Sequence, residues 1–356
     1  MFLQGVGLES APLASTIPHV LFMAYQGTFA IITAALISGA VVERMCFGPY
    51  LAFITLWSLV IYAPIAHWVW GGGWIGDLGA LDFAGGTVVH VNAGIAAVVA
   101  AVVVGSRKDY GRRAHVPHDV TCVLLGAALL WFGWFGFNGG SALAASATAA
   151  LAFVNTMLAP AATLVVWMLL DTMRSQKVTA VGAATGIVVG LVAITPAAGF
   201  ISPMSALALG ALAAIPSYYV IVYRSRTRFD DSLDVFAAHG TGGAVGALLT
   251  GVFAAEVWGR ASGAVDGNVS QIGTQARAIL GVLLYCGIGT LVLLKAMSFV
   301  VTFRRPLGEE GIGLDVILHG EEAYAKGEGA VLVHPDGIAT SSGTIAPDAA
   351  ATAAPR

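Results

Sequence analysis

Nine stretches of about 20 mostly apolar residues, each long enough as a helix to cross the hydrocarbon layer of a bilayer, dominate this chain of 356 residues. They lie near 17–42, 48–67, 86–105, 119–138, 145–170, 179–196, 203–223, 234–254 and 277–302, the third weakened by glycine and histidine. With 57% of residues hydrophobic and only 10% charged, a soluble core of this size could not hide so much apolar surface. The expected fold class is an all-α integral membrane protein of about nine helices, because lipid offers no partners for an open backbone.

The positive charges give an independent check, since lysine and arginine collect in short cytoplasmic loops. One set of alternate connections holds Arg44; Arg107, Lys108, Arg112 and Arg113; Arg174 and Lys177; Arg224, Arg226 and Arg228; and Arg304 and Arg305. The other holds Arg260 and Arg277, a bias of twelve to two. It places the N-terminus outside and the C-terminus inside. The net charge of −3 gives no reason to expect a nucleic acid partner. The sequence divides into an extracytoplasmic segment 1–16, a membrane domain 17–304, a cytoplasmic segment 305–324 and a low-complexity, disordered tail 325–356. The first 14 residues lack the pattern of a cleavable signal peptide. Cys46, Cys122 and Cys286 stand singly and read as packing residues.

Ionisable residues inside a membrane are functional candidates, because hydrocarbon solvates them poorly. His90, in Leu81-Asp82-Phe83-Ala84 through His90, and His239, in Leu233-Asp234-Val235-Phe236-Ala237 through His239, sit in similar contexts 149 residues apart on oppositely directed spans. That is the mark of an inverted-topology repeat, which puts its site at the midplane between the halves. A lone membrane histidine more often serves as a hydrogen-bonding residue between helices; the paired context favours a site. If the rings meet, one imidazole donates to the other and the outer nitrogens face the pore.

Aromatic residues supply a second cue. Phe29, Trp70 and the run from Trp131 to Phe137 lie in or at the ends of spans, where ring faces attract cations that have shed water. For any one of them alone, an interfacial aromatic belt is the better reading.

The stretches Asp82-Phe83-Ala84-Gly85-Gly86 with Val88-Val89-His90, Gly133-Trp134-Phe135-Gly136-Phe137-Asn138, Ala152-Phe153-Val154-Asn155-Thr156, Asp234-Val235-Phe236 through His239-Gly240, and Gly313-Leu314-Asp315 through His319-Gly320-Glu321 run along nearly the whole chain. Together they resemble the ammonium transporter family, the Amt, Mep and Rh proteins, and more particularly its Amt branch. The resemblance implies an inverted-repeat helix bundle, a homotrimer in the cell membrane, and transport of ammonium or ammonia. It maps the twin pore histidines onto His90 and His239, the stacked gate phenylalanines onto Phe29 and Phe137, and the outer recruitment site onto Trp70, Ser141 and Phe29. Trp134 would line the inner pore wall. Asp82 would hold the pore together and favour the cation, and its position also suits a helix cap. Tyr25 takes a recruitment position usually held by phenylalanine, and its hydroxyl is expected to accept a hydrogen bond from ammonium.

The tail residues Gly313, Leu314, Asp315, His319, Gly320 and Glu321 imply a regulatory segment that binds the PII nitrogen-regulatory protein; the alternative is a tail that only packs on its own cytoplasmic loops. Family members usually have eleven spans as five plus five plus one, so this chain would lack the first two, with Met1 expected inside a longer reading frame. The resemblance implies no cofactor, and the sequence carries no nucleophile motif, phosphate loop or metal cluster that would suggest an enzyme. Three alternatives stand beside the transporter: a Rh-like gas channel, an ammonium sensor, and a truncated, non-transporting fragment.

Overall fold

The computed structural model describes residues 3–112, 115–310 and 312–320. Arg113, Glu321, the rest of the segment to 324 and the tail 325–356 lie outside the described residues. The helices are α1 (His19–Val41), α2 (Phe47–Asp77), α3 (Gly86–Val104), α4 (Val120–Gly140), α5 (Ala147–Ser175), α6 (Ala180–Ile194), α7 (Pro203–Arg224), α8 (Phe236–Phe253) and α9 (Ser270–Ser298). Eight of the nine are long and apolar enough to cross a membrane, which makes this a multi-pass membrane protein.

The exception is α6, where a full-length span is expected and a helix of 15 residues is found. It is about 22 Å long against a hydrocarbon core of about 30 Å. It still joins the two ends of the bundle. Gly182 lies against Asp171 at the end of α5, while the turn beyond α6 meets the segment before α3, with Phe83 N–H on the Pro196 carbonyl at 3.1 Å. Val189 to Ile194 are all buried. Protein rather than lipid surrounds that half, so the length rule for lipid-facing helices does not bind it.

Side-chain caps start four helices where the sequence leads one to expect. The Asp119 carboxylate accepts from Thr121 N–H and Cys122 N–H, Ser146 from Ala149 N–H, Thr179 from Gly182 N–H and Ser202 from Ser205 N–H. Each satisfies backbone donors that the first turn leaves free. By contrast α9 begins seven residues before the expected 277. Gln271 and Gln275 make its first turns look polar, yet both are buried: Gln271 Nε2 donates to the Gly79 carbonyl at 2.8 Å, and Gln275 both accepts from Leu81 N–H and donates to the Leu81 carbonyl at 2.7 Å. In α2 a π turn at Ser58–Tyr62 precedes Pro64, which has no N–H to continue the α-helical ladder.

The most enclosed helix is α3, with 72% of its apolar window buried against 11% for α4, so α3 is the central column and α4 is peripheral. It packs on α1, α8 and α9, and α5 packs on α6 and α7. Cys46 and Cys286 are buried as expected; Cys122, on the peripheral α4, is exposed, at odds with the packing role expected of it.

The two ends differ sharply in chemistry. At one, buried Arg44 donates to the carbonyls of Ala40, Gly105 and Asp230, and Arg107 grips the Asp230 carboxylate with Nε and Nη2 at 2.9 Å each. Burial alone would raise the Asp230 carboxyl; the bonds from Arg107 leave it below its usual range. Arg224 pairs with Asp234, and Arg304 with Glu310. The opposite, aromatic end carries a hairpin of Ser10–Ala11 and Ala14–Pro18, tied to the turn after α4 by Thr16 Oγ1 donating to the Leu143 carbonyl at 2.6 Å.

Candidate functional site

Both histidines sit in π-helical turns, Gly86–Val91 at the head of α3 and Phe236–Thr241 at the head of α8. Such turns are rare and cluster at functional sites, because they advance one residue relative to the α-helical register. The first is built by Asp82. Its Oδ1 accepts from Gly85 N–H at 2.8 Å and Gly86 N–H at 2.6 Å, and its Oδ2 from Thr87 N–H at 2.8 Å and Val88 N–H at 3.0 Å. Four donors saturate an acceptor-only carboxylate. Gly85 enters this cap at φ 109°, a conformation closed to other residues.

In the second half the corresponding cap is Asp231, not the Asp234 that the sequence match aligned with Asp82. Asp231 Oδ2 accepts from Phe236 N–H at 2.7 Å and the side chain is wholly buried. Burial pushes its carboxyl up to about 6. Asp234 instead sits at φ 57° and holds Arg224 Nε at 2.6 Å. Sequence reading missed Asp231, although the signal was there: Asp82 precedes His90, and Asp231 precedes His239, by the same eight residues.

Two glycines bring these turns together. A Cβ on Gly94 would stand 2.3 Å from the Gly240 Cα, so α3 and the head of α8 touch backbone to backbone. The histidine rings then lie 5.3 Å apart at 26°, with Nδ1 to Nδ1 at 3.2 Å. That contact requires a proton on one Nδ1 and a lone pair on the other. Trp134 stacks on His90 at 5.3 Å and 20°, held by its Nε1–H donating to Thr195 Oγ1 at 2.9 Å. Phe29 and Phe137 stack at 4.5 Å and 29°, and Phe137 lies 6.2 Å from His90. Above them is a recess of about 180 Å³ lined by Tyr25, Phe29, Trp70 and Ser141, with Leu13, Phe22, Gln26, Phe83 and Leu143 around them. The sequence-predicted residues thus form one column, from recess through stacked phenylalanines to paired histidines.

A model of the Ammonium Transporter Family matches residues 4–324. The chain belongs to the ammonium transporter family. It is 46% identical over 325 residues to an ammonium transporter of Bacillus subtilis, covering 90% of this chain and 80% of that one. It is 42% identical over 305 residues to ammonium transporter Amt1 of Archaeoglobus fulgidus, covering 86% and 78%. Among solved structures, Candida albicans Mep2 superposes with a TM-score of 0.78 at 39% identity, over 81% of this chain and 66% of that one. A sensor Amt protein superposes at 0.80 with 30% identity, over 87% and 84%.

Two residues of this family member make contacts that the sequence does not show. The Tyr25 O–H donates to the Phe137 carbonyl at 2.6 Å, with Ser141 Oγ at 3.1 Å, which leaves its oxygen lone pairs able to accept a hydrogen bond. Asp82 does not line the recess. It touches the site through its carbonyl, which accepts Trp70 Nε1–H at 2.8 Å.

At the arginine end, Gly313 precedes a short helix, Leu314–His319, that closes at Gly320. Gly313, Leu314 and Asp315 line a second recess of about 460 Å³ with Glu43, Arg107 and Lys108, and the His319 ring meets Phe47 edge-on at 5.5 Å. The described part of this segment, 312–320, therefore lies against Glu43, Arg107, Lys108 and the start of α2. Among the described residues no three His, Cys, Asp or Glu side chains are grouped to hold a metal.

Proposed function

We propose that the chain is a membrane ammonium channel or transporter that recruits NH4+ in the aromatic recess, strips its proton before or at the histidine pair and conducts ammonia along the column. The single observation that carries this is the alignment of recess, stacked gate and Nδ1-paired histidines in one enclosed line. The recess supplies ring faces and hydroxyl lone pairs, which suit a small cation. The buried column suits a neutral molecule, because a bare cation there is severely penalised. Loss of the proton would also exclude potassium. The Asp82 carboxylate, on the residue whose backbone carbonyl holds Trp70, adds a negative potential that favours the cation without touching it.

The aromatic end faces outside and the arginine end the cytoplasm, in keeping with the loop charges. A homotrimer and a PII-type partner at the cytoplasmic recess complete the reading; deleting residues 308–356 should abolish PII co-purification, and unchanged co-purification argues against that partner. Trp70 and Ser141 favour a cation-recruiting site over a Rh-like gas channel. The test is flux into liposomes. The chain should pass ammonium and exclude potassium, and His90→Ala should lose that selectivity. A chain that passes no ammonium, or a His90→Ala variant that discriminates as before, would sink the proposal.

A further inference from the structure

The recruitment recess has a rim that the transport reading leaves unused. Leu13, at the tip of the N-terminal hairpin, and Leu143, in the turn after α4, face the recess from two segments far apart in sequence. Thr16 Oγ1 donating to the Leu143 carbonyl at 2.6 Å ties them together. Leu143 also adopts φ 54°, a left-handed conformation that costs a non-glycine residue energy and persists only where its surroundings enforce it. A glycine at this place would be free of that cost, yet a bulky apolar side chain stands there.

We infer that the Thr16–Leu143 clasp, with Leu13 and Leu143 as its apolar jaws, is a specificity-determining rim that sets how much water a cation keeps in the recess and so separates ammonium from its alkylated analogues. This rests on the proposed function and deepens it. A water molecule's share of liquid is about 30 Å³, so a recess of about 180 Å³ holds roughly six water-sized bodies: ammonium together with part of its shell, or a larger alkylammonium without one. The floor acts on the cation through ring faces, an attraction that strengthens as water leaves. Total volume therefore does not discriminate; the rim does, by excluding water around the small ion and crowding the mouth where the methyl groups of the larger one must sit. Opening the clasp admits water, weakens ammonium and relaxes the penalty on methylammonium.

The test uses the whole chain and two probes, ammonium chloride and methylammonium chloride. Binding to detergent-solubilised protein is followed by tryptophan fluorescence, with Trp70→Phe as the control that removes the reporting ring, and flux is followed in liposomes. Thr16→Val removes the donor at constant shape, and Leu143→Gly removes one jaw while relieving backbone strain, so neither should impair folding. Each should lower the ammonium-to-methylammonium affinity ratio about three- to tenfold, a loss in line with one hydrogen bond or a few apolar contacts. An unchanged ratio in both variants overturns the inference, as does a parent protein whose recess binds neither ion. A parent that binds ammonium but shows no flux sinks the transport reading alone, and the ratio still decides the rim.

Discussion

Replacing Asp82 by asparagine changes one atom of one side chain and should unfasten the head of α3. The carboxylate accepts four backbone N–H groups at 2.6 to 3.0 Å, all buried. An asparagine keeps one oxygen, which can satisfy two of them, and turns an NH2 group toward the other two. Hydrogen bonds to a charged acceptor contribute about 1.5–3 kcal/mol each, so losing two costs roughly 3–6 kcal/mol before relaxation. Segments unfolded within a membrane find other partners, which trims the figure to about 2–4 kcal/mol. Against a typical stability of about 5–15 kcal/mol this is a large share. Denaturant titration in detergent, followed by tryptophan fluorescence, should show a clearly lower midpoint for Asp82→Asn. The π turn that carries His90 should also loosen, so ammonium flux should fall by more than the loss of folded protein explains. If the midpoint moved by less than about 0.5 kcal/mol, the cap would not be what holds this turn.

Other outcomes follow from the same geometry. Gly94→Ala would put a methyl 2.3 Å from the Gly240 Cα and must push α3 from α8; it should cost at least about 2 kcal/mol and part the histidine rings, measurable as lower thermal stability and lost flux. Asp231→Asn keeps an acceptor for Phe236 N–H but removes a carboxyl that burial holds at about 6, above its ordinary value of 3.8. The charged form is thus disfavoured on folding, and the stability lost as pH rises through 6 should be absent from the variant. Its stability relative to the parent should climb by about 2 kcal/mol between pH 4 and 7.5, and a flat difference would refute the burial argument. Tyr25→Phe removes the bond to the Phe137 carbonyl while Ser141 still donates there at 2.9 Å, so it should cost only about 1 kcal/mol in a thermal melt.

Much of this molecule is legible in its sequence, for reasons that differ residue by residue. Helix starts at Asp119, Ser146, Thr179 and Ser202 are legible because a cap is a local interaction between neighbours. The pairing of His90 with His239 is legible because an inverted repeat leaves the same residue types twice. What hides is what depends on distant contact. Gln271 and Gln275 look like the end of a loop until the carbonyls of Gly79 and Leu81 are seen beside them. The length of α6 misleads because hydropathy assumes lipid on every side. Asp231 was overlooked for a subtler reason: the Leu-Asp dipeptides of the two halves align by eye, whereas the backbone counts residues back from the histidine. The partner of the Tyr25 proton is not legible either, since only the folded chain reveals the Phe137 carbonyl 2.6 Å away.

The histidine pair carries a last consequence. The two halves of the fold mirror each other, with a π turn, an aspartate and a histidine on each side, but a single hydrogen between two Nδ1 atoms 3.2 Å apart belongs to one ring at a time. At every instant the pair is therefore directional: one imidazole presents a bare Nε2 and the other an Nε2–H. The backbone, being alike on both sides, does not choose between these arrangements. Reversing that polarity takes a proton gained at one Nε2, the shared hydrogen passed between the Nδ1 atoms and a proton released from the other Nε2, with no movement of a helix, so the symmetry of the scaffold and the direction of the pair are settled by different particles.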